Sequence, residues 1–351
     1  METIQLLREL SQASGVSGYE EPVRAVAYKA FEPYAHTLRT DTLGNLIALQ
    51  KGTRGDGARK RSIMLAAHMD EIGLMVTGME EGFIRFTRVG GVDTRTILGQ
   101  EVVVHGARPL PGIVASRPPH VLSPGEQEKP VPLDKLFVDG GLSAEGIADV
   151  VRVGDLITMR RDFLELAEGY VSGKAFDDRT GVVSLALTLE ALSAMHHEWD
   201  VYAVATTQEE VGLRGAIASA YGVAPDIAIA VDVGFGAQQG VGDTESVAMD
   251  GGPAIARGPN IHPVLCERLV ALAKDNELPH QIEVISGATG TDAWAIQVAR
   301  EGIPTALLSI PLRYMHTTVE TVCIRDIQRT ARLMALFITS LNEDLAIALG
   351  L

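Results

Sequence analysis

The stretch VYAVATTQEEVGLRGA, from Val201 to Ala216, joins an apolar run to a segment that carries two adjacent acids. The apolar and β-branched residues at its start predict a buried strand that stops just before the acids. Glu209 and Glu210 are neighbours, and neighbouring side chains on an extended backbone point to opposite sides. The two carboxylates can therefore have different roles, although a solvated turn is the simplest interpretation of this stretch alone.

Apolar runs of strand length alternate with longer helical patterns in two separated parts of the chain, which predicts an α/β fold. The expected fold class is a layered, mostly parallel sheet with helices on both faces. The predicted strands are TLGNLIALQ, SIMLAAH, VYAVATT, DIAIAVD and TALLSI. The predicted helices are TGVVSLALTLEALSAM, PVLCERLVALAKDNEL and IRDIQRTARLMALFITSLNEDL.

The segment of residues 71–164 differs from the rest, because it combines short strand-like runs with Gly and Pro turns and a Pro-rich loop. Its predicted strands are GLMVTGM, GFIRFTRV, EVVVHG and GIVAS. We expect residues 1–70 and 165–351 to form a catalytic domain and residues 71–164 to form an inserted, β-barrel-like domain. A β-rich insert brings edge strands that proteins normally cover, so the chain is expected to form a large homo-oligomer through this segment.

Composition limits the classes of partner. The chain has 351 residues, 46% of them hydrophobic and 21% charged, which fits a globular protein. Its formal net charge of -15 opposes binding to phosphate backbones, so nucleic acid is not an expected partner. No apolar stretch is long enough to span a bilayer, and the N-terminus does not resemble a signal peptide, so a cytoplasmic protein without a membrane partner is expected. Cys266 and Cys323 are expected to be buried, inert thiols.

Histidines and acids stand at the ends of several predicted strands. His68 ends SIMLAAH, and Asp70 lies on the same face of an extended backbone, where its carboxylate can orient a metal-binding histidine. Asp232 closes a run apolar enough to be a buried strand, where an acid is costly unless a cation or hydrogen-bond donors satisfy it. His316 follows another such run. Taken singly, each has a simpler interpretation, such as a chance His-x-Asp pair or a hydrogen-bonded histidine.

The adjacent acids Asp177 and Asp178 precede a predicted helix, where Asp is a preferred N-cap. On this stretch alone, capping and metal binding are equally compatible with Asp178. Strand ends in an open α/β sheet form the crevice where ligands bind, so residues distant in sequence can converge there. Two histidines with three or more carboxylates suit Zn, Co or Mn better than Ca or Mg.

Charge counting favours two metal ions. Two divalent ions carry four positive charges, which the carboxylates of Asp178, Glu210 and Asp232 and one bridging hydroxide would balance. Glu209 is then left outside the ligand set, where it can take a proton from the metal-bound water as a general base.

Seven segments in this order resemble the tetrahedral (TET) aminopeptidase family of dinuclear metallopeptidases: LAAHMDEIGLMV, GKAFDDRTG, ATTQEEVGLRGA, AIAVDVG, GPNIHP, GTDAWA and IPLRYMHTTVETV. That family includes glutamyl and deblocking aminopeptidases. The resemblance covers nearly the whole chain and implies a zinc-peptidase type of fold with two zinc or cobalt ions per subunit. It also implies dimerisation through the insert and assembly of dimers into a hollow tetrahedral dodecamer. Thr318, at a position where proline is expected, and VDGG at Val138 to Gly141 depart from the pattern, which concerns local loop shape.

The resemblance further implies roles for individual residues. Asp178 would bridge the two metals, Glu209 would be the general base, and Asp70 would orient His68. The implied metal ligands are His68, Asp178, Glu210, Asp232 and His316. Residues expected to bind substrate, all from ISGATGTDAW and IPLRYMH, are Thr291, Asp292 and Arg313.

The expected function is hydrolysis of N-terminal residues from peptides by a metal-activated water, with Glu209 as the base. The alternative is a glycoside hydrolase, since relatives of this kind have been labelled endoglucanases, but that chemistry needs two carboxyl groups and no histidine-bound metal. A metal-storage or assembly protein is a third possibility and would have no need of Glu209. Acidic, neutral and basic N-terminal residues all stay open as the preferred substrate, and the physiological metal stays open as well.

Overall fold

The computed structural model describes residues 2–53, 60–242 and 244–351. The helices α1 to α11 are Thr3–Gln12, Glu21–Phe31, Thr94–Ile97, Pro124–Gln127, Ala144–Val150, Phe176–Leu192, Arg214–Val223, Pro263–Asp275, Asp292–Ile296, Ile324–Thr339 and Glu343–Ala348. The strands β1 to β17 are Thr37–Thr40, Leu46–Gln50, Ser62–His68, Gly73–Glu80, Phe83–Val89, Glu101–His105, Pro109–Ala115, Phe137–Asp139, Leu156–Met159, Leu164–Glu165, Tyr170–Gly173, Asp200–Thr206, Ile227–Phe235, Ala254–Arg257, Gln281–Val284, Thr305–Arg313 and Glu320–Cys323.

Eleven strands form one large mixed sheet. Its main order is β1-β2-β12-β3-β13-β16-β17-β11-β10, and β14 pairs with both β16 and β15. The central strands β12, β3, β13 and β16 pair in parallel. The strands beyond them pair antiparallel, on one side through β2 and on the other through β17. The expectation of a mostly parallel sheet is therefore wrong, and the fold is mixed α/β with a parallel centre.

The long apolar runs of the sequence correspond to the central strands. β3 is buried from Ile63 to His68, and β13 is buried along its whole length except at Phe235. Strands that are covered on both faces are expected to have continuous apolar sequences, and for this reason they could be predicted from the sequence. Apart from β2, the short flanking strands lack such runs, and the antiparallel pairing of all of them could not be inferred. Placement of helices on both faces stays a prediction.

The predicted helices are confirmed. One of them is divided in two, and one predicted strand is longer than expected. α6 packs against β3 and β13, and α10 packs against α6. The closing helical pattern divides into α10 and α11, because Asn342 caps the second helix by accepting the N–H of Leu345. β13 continues past Asp232 to Phe235, so this acid lies inside a strand and not at its end.

The strands β4-β5-β8-β7-β6-β9 close into a separate small barrel, which confirms the β-rich character of the insert. The barrel has its own apolar core, formed by residues such as Leu74, Val102 and Val138. Closure removes the free edge strands on which the expectation of a homo-oligomer was based. The domain boundaries and the role of the insert in self-association stay predictions.

The cysteines and the helices also bear on the expectations from the sequence. Cys266 and Cys323 are both buried free thiols, as expected. None of the helices in the described part of the chain combines the length and the apolar character that crossing a membrane requires.

Candidate metal centre

The parallel centre of the large sheet brings the candidate residues to one edge. His68 is the last residue of β3, and Thr206, which ends β12, is its register partner. Glu209 and Glu210 follow β12, His316 follows β16, and Asp232 lies near the end of β13. The carboxyl ends of parallel strands lie together, so the convergence expected from the sequence is found.

Asp177 lies between the two histidines. Its Oδ1 is 3.0 Å from His68 Nε2, and its Oδ2 is 3.3 Å from His316 Nε2. Glu210 approaches the same histidine, with Oε1 3.4 Å from His316 Nε2. One carboxylate therefore offers an oxygen to each side of the site, which is the arrangement required of a ligand shared by two metals.

Asp178 faces a different part of the site. Its Oδ1 accepts the backbone N–H of Gly181 at 3.0 Å, which is a helix-capping hydrogen bond. Its Oδ2 is buried and has no hydrogen-bond partner among the described residues. Ligand atoms of Asp178, His68 and Asp232 lie within 4.8 Å of one another. The structure thus puts Asp177, and not Asp178, between the histidines, a distinction that two adjacent aspartates in a sequence cannot reveal.

Glu320 supports the backbone on both sides of the site, and the sequence interpretation did not identify it. Its Oε2 accepts the N–H groups of Phe176 and Asp177 at 2.8 and 3.2 Å. Its Oε1 accepts the N–H of His316 at 2.9 Å. His316 itself has φ +61°, in the left-handed region that is costly for a residue other than glycine and is often found at functional sites. Glu320 is a buried acid in the run VETV, the same signal that pointed to Asp232, and that signal could have identified it.

Asp70 joins the histidine side of the site to the pair of glutamates. Its Oδ1 is 3.5 Å from His68 Nδ1 and accepts the backbone N–H of Glu209 at 3.0 Å. Its Oδ2 accepts the hydroxyl of Ser17 at 2.6 Å and the N–H of Glu210 at 3.3 Å. The carboxylate therefore fixes the backbone of both glutamates relative to His68.

The insert also contacts the site. Gly90 and Gly91 follow β5, and a Cβ atom placed on Gly91 would lie 2.5 Å from His316 Nδ1. Any side chain at this position would have to displace the imidazole ring. A glycine at position 91 therefore lets the barrel close against the histidine side of the centre.

The cluster carries more negative charge than its own cationic groups compensate. Burial raises the pKa of Asp178 and Asp232 well above the usual range and that of Glu209 to about 10. The hydrogen bonds that His316 donates to the carboxylates of Asp177 and Glu210 raise its pKa to about 11. Among the described residues that line the cleft above the site, none is a lysine or arginine. A bound divalent cation would stabilise the ionised forms of these buried acids, and the imidazole and carboxylate donors fit zinc, cobalt or manganese.

The three residues expected to bind substrate have different positions. Thr291 lines the same cleft as the metal-site residues and caps α9. Asp292 is buried beneath it and accepts the hydroxyl of Thr206 at 2.5 Å. Arg313 does not line the cleft, because its Nε donates to the carbonyl of Ala237 at 2.8 Å and its guanidinium lies over the ring of Tyr170. Arg313 is the last residue of β16, and its pairing with Thr321 of β17 could not be derived from the sequence.

Comparison with known proteins gives a consistent result. The model of the M42 glutamyl aminopeptidase family matches residues 44–333. The chain is similar to a lysyl aminopeptidase of Pyrococcus furiosus, with 36% identity over 338 residues that cover 94% of this chain and 94% of that protein. It is also similar to an aminopeptidase from the archaeon Desulfurococcus kamchatkensis, with a TM-score of 0.92, 38% identity and coverage of 99% of this chain and 97% of that one.

A second similar structure is that of the Pyrococcus horikoshii TET1 peptidase, which is described as able to assemble into a tetrahedron or a large octahedral shell. It has a TM-score of 0.84 and 33% identity, covering 97% of this chain and 100% of that one. A Thermotoga maritima structure described as an endoglucanase and another described as a peptidase/endoglucanase are similar as well. The resemblance seen in the seven sequence segments is confirmed, and the chain belongs to the M42 glutamyl aminopeptidase family.

Proposed function

We propose that this protein is a dinuclear metalloaminopeptidase that hydrolyses N-terminal residues from peptides. The observation that carries the proposal is the position of Asp177, whose two oxygens face His68 and His316. We assign the bridging role to Asp177 in place of Asp178, to which the sequence interpretation gave it, and regard Asp178 as a helix cap beside the site. The proposed metal ligands are His68, Asp177, Glu210, Asp232 and His316.

Residues of the chain transfer the proton and position the reacting groups. Two bound zinc or cobalt ions would supply Lewis acidity toward the scissile carbonyl and lower the pKa of a bound water. Glu209, whose Oε2 is 3.9 Å from His68 Nε2, accepts a proton from the attacking water as the water oxygen bonds to the carbonyl carbon. The same carboxyl gives that proton to the peptide nitrogen when the C–N bond breaks. Asp70 keeps Glu209 in place through the backbone and orients His68.

Aminopeptidase activity is supported by the family and by the named relatives. Their names differ in the residue removed, since the family description is glutamyl and the Pyrococcus furiosus relative is lysyl. The names therefore leave the residue preference of this chain open. The acids lining the cleft suit a substrate with a free α-amine, which is cationic at neutral pH.

Chelation and metal add-back test the proposal. We expect a chelator to abolish hydrolysis of an aminoacyl anilide, and zinc or cobalt to restore it, while a β-glucan is not hydrolysed in any state. Hydrolysis of the β-glucan in the presence of the chelator would instead support the glycoside hydrolase alternative. Metal binding without hydrolysis of either substrate would support a storage or assembly protein.

We further propose that the chain forms dimers through the segment of residues 71–164 and that these dimers assemble into a dodecamer. Support comes from the Pyrococcus horikoshii relative, which is described as forming a tetrahedron, and from a dodecamer described for TET1. Exposed apolar residues on the insert, among them Ile113 and Val153, offer contact surface. Light scattering at micromolar concentration with metal present should give about twelve subunits per particle, and a monomer would contradict the proposal.

A further inference from the structure

Glu283 is an acid of the cleft that the proposed metal chemistry does not use. It lies on β15 and lines the same cleft as His68 and Glu209. The hydroxyl of Ser309 donates to its Oε2 at 2.5 Å. Within the described part of the chain, its Oε1 forms no hydrogen bond, so one oxygen of this carboxylate is left for a ligand.

The neighbouring strands place this carboxylate close to the metal centre. Ser309, which holds Glu283, is the register partner of the proposed ligand Asp232. Gly234 follows on the same strand as Asp232, and a Cβ atom on it would lie 3.2 Å from Glu283 Oε1. A side chain at position 234 would crowd this oxygen, so glycine keeps the space beside it open.

The surroundings of Glu283 suit a long aliphatic chain with a cationic end. Phe235, Ile285 and Trp294 line the same cleft as Glu283 and offer apolar surface to methylene groups. Burial raises the pKa of Glu283, and no lysine or arginine among the described lining residues compensates its charge. A cation brought by the substrate would stabilise the ionised carboxylate in this partly desolvated place.

We propose that Glu283 determines the specificity of this enzyme and selects peptides with an N-terminal lysine or arginine. The side-chain cation of that residue pairs with Glu283 Oε1 while its methylene groups lie along the apolar wall of the cleft. The inference rests on the proposed aminopeptidase function. Glu283 is neither a metal ligand nor a proton carrier in this scheme, so its effect should depend on the substrate side chain.

A pair of matched substrates tests this on the unmodified protein. Lysyl and norleucyl anilides have the same aliphatic stem and differ in the terminal cation. We expect kcat/KM to be about ten- to a hundredfold higher for the lysyl substrate, because a hydrogen bond to a charged group is typically worth that factor. The arginyl anilide should resemble the lysyl one, and the glutamyl anilide should be the poorest.

Glu283→Gln then isolates the carboxylate with little change of volume. We expect this variant to lose about ten- to a hundredfold in kcat/KM for the lysyl and arginyl anilides, to stay within about twofold for the norleucyl anilide, and to keep its metal content. Glu267→Gln, an exposed position on α8 that does not line the cleft, is the matched control and should change neither.

Each other outcome has a separate meaning. An equal loss on all anilides would show that Glu283 acts on the α-amine or on the site as a whole, which overturns the selectivity. A wild-type preference for norleucyl or glutamyl anilide would overturn it too, while leaving aminopeptidase function intact. Absence of hydrolysis on every anilide by the metal-loaded protein would overturn the proposed function itself.

Discussion

Glu209→Gln should lower turnover by about a hundred- to ten-thousand-fold, the usual contribution of general-base catalysis, while both metal ions stay bound. The substitution nearly preserves volume and removes none of the proposed ligands. Glu209 is only 9% exposed, which argues against the solvated turn considered for TTQEEVG. The backbone N–H that Asp70 accepts is unchanged in the variant, so the position of residue 209 should be preserved.

Glu210→Gln should lose activity for a different reason, through loss of metal, although it changes the residue next to Glu209. The carboxylate beside His316 is replaced by a weak neutral ligand, which leaves an excess of positive charge at the site. One metal should be lost first and activity with it, with partial recovery in excess zinc or cobalt.

The two variants are compared by turnover number and metal content, with and without excess metal. Glu267→Gln again serves as the exposed control. Loss of metal from Glu209→Gln, together with a loaded but inactive Glu210→Gln, would reverse the two roles. Full activity in both variants would show that neither glutamate takes part in the reaction.

Asp177→Asn should weaken binding of both metals, because this side chain faces both histidines. Residues that merely support a metal ligand typically contribute about 10- to 100-fold to metal affinity, so loss of a shared charged ligand should cost at least about a hundredfold. The hydrogen bond from its backbone N–H to Glu320 does not depend on the side chain. The loss should therefore come from the missing charge and not from displacement of the backbone.

Asp178→Asn provides the neighbouring comparison. The variant keeps an oxygen that can accept the N–H of Gly181, so the start of α6 should be preserved. Its carboxylate forms no hydrogen bond to a histidine among the described residues, and its Oδ2 is unpartnered. Both metals should stay bound.

Strand ends in the sequence were sufficient to predict where the candidate metal-binding residues converge. His68, Asp232 and His316 were identified because each is an ionisable residue next to a long apolar run, and such residues lie at or near the strand ends where ligands bind. The same logic failed to separate Asp177 from Asp178, because backbone dihedral angles, and not residue type, decide which carboxylate faces the histidines. Arg313 was chosen from its segment alone, and its direction depends on the pairing of β16 with β17, which the sequence pattern does not describe.

Other features were not predicted because they depend on pairing between strands that are far apart in the chain. Glu283 reaches the cleft through β14 and β15, two short strands without an apolar run, so its neighbour Ser309 could not be predicted. Closure of the barrel depends on pairing between β4 and β9, which are far apart in the chain. Local periodicity predicts individual strands of an insert but carries no information on whether its first and last strands meet.

The most direct test of the bridged centre is the number of metal ions per chain, measured by elemental analysis after dialysis, in the wild type and in both aspartate variants. A centre bridged by Asp177 predicts two ions in the wild type, two in Asp178→Asn and fewer than one in Asp177→Asn, with hydrolysis of an aminoacyl anilide following the count. If the Asp177→Asn variant retained two ions and the Asp178→Asn variant lost them, Asp178 would be the ligand shared by the two metals. An active wild-type protein free of metal would contradict the dinuclear centre altogether.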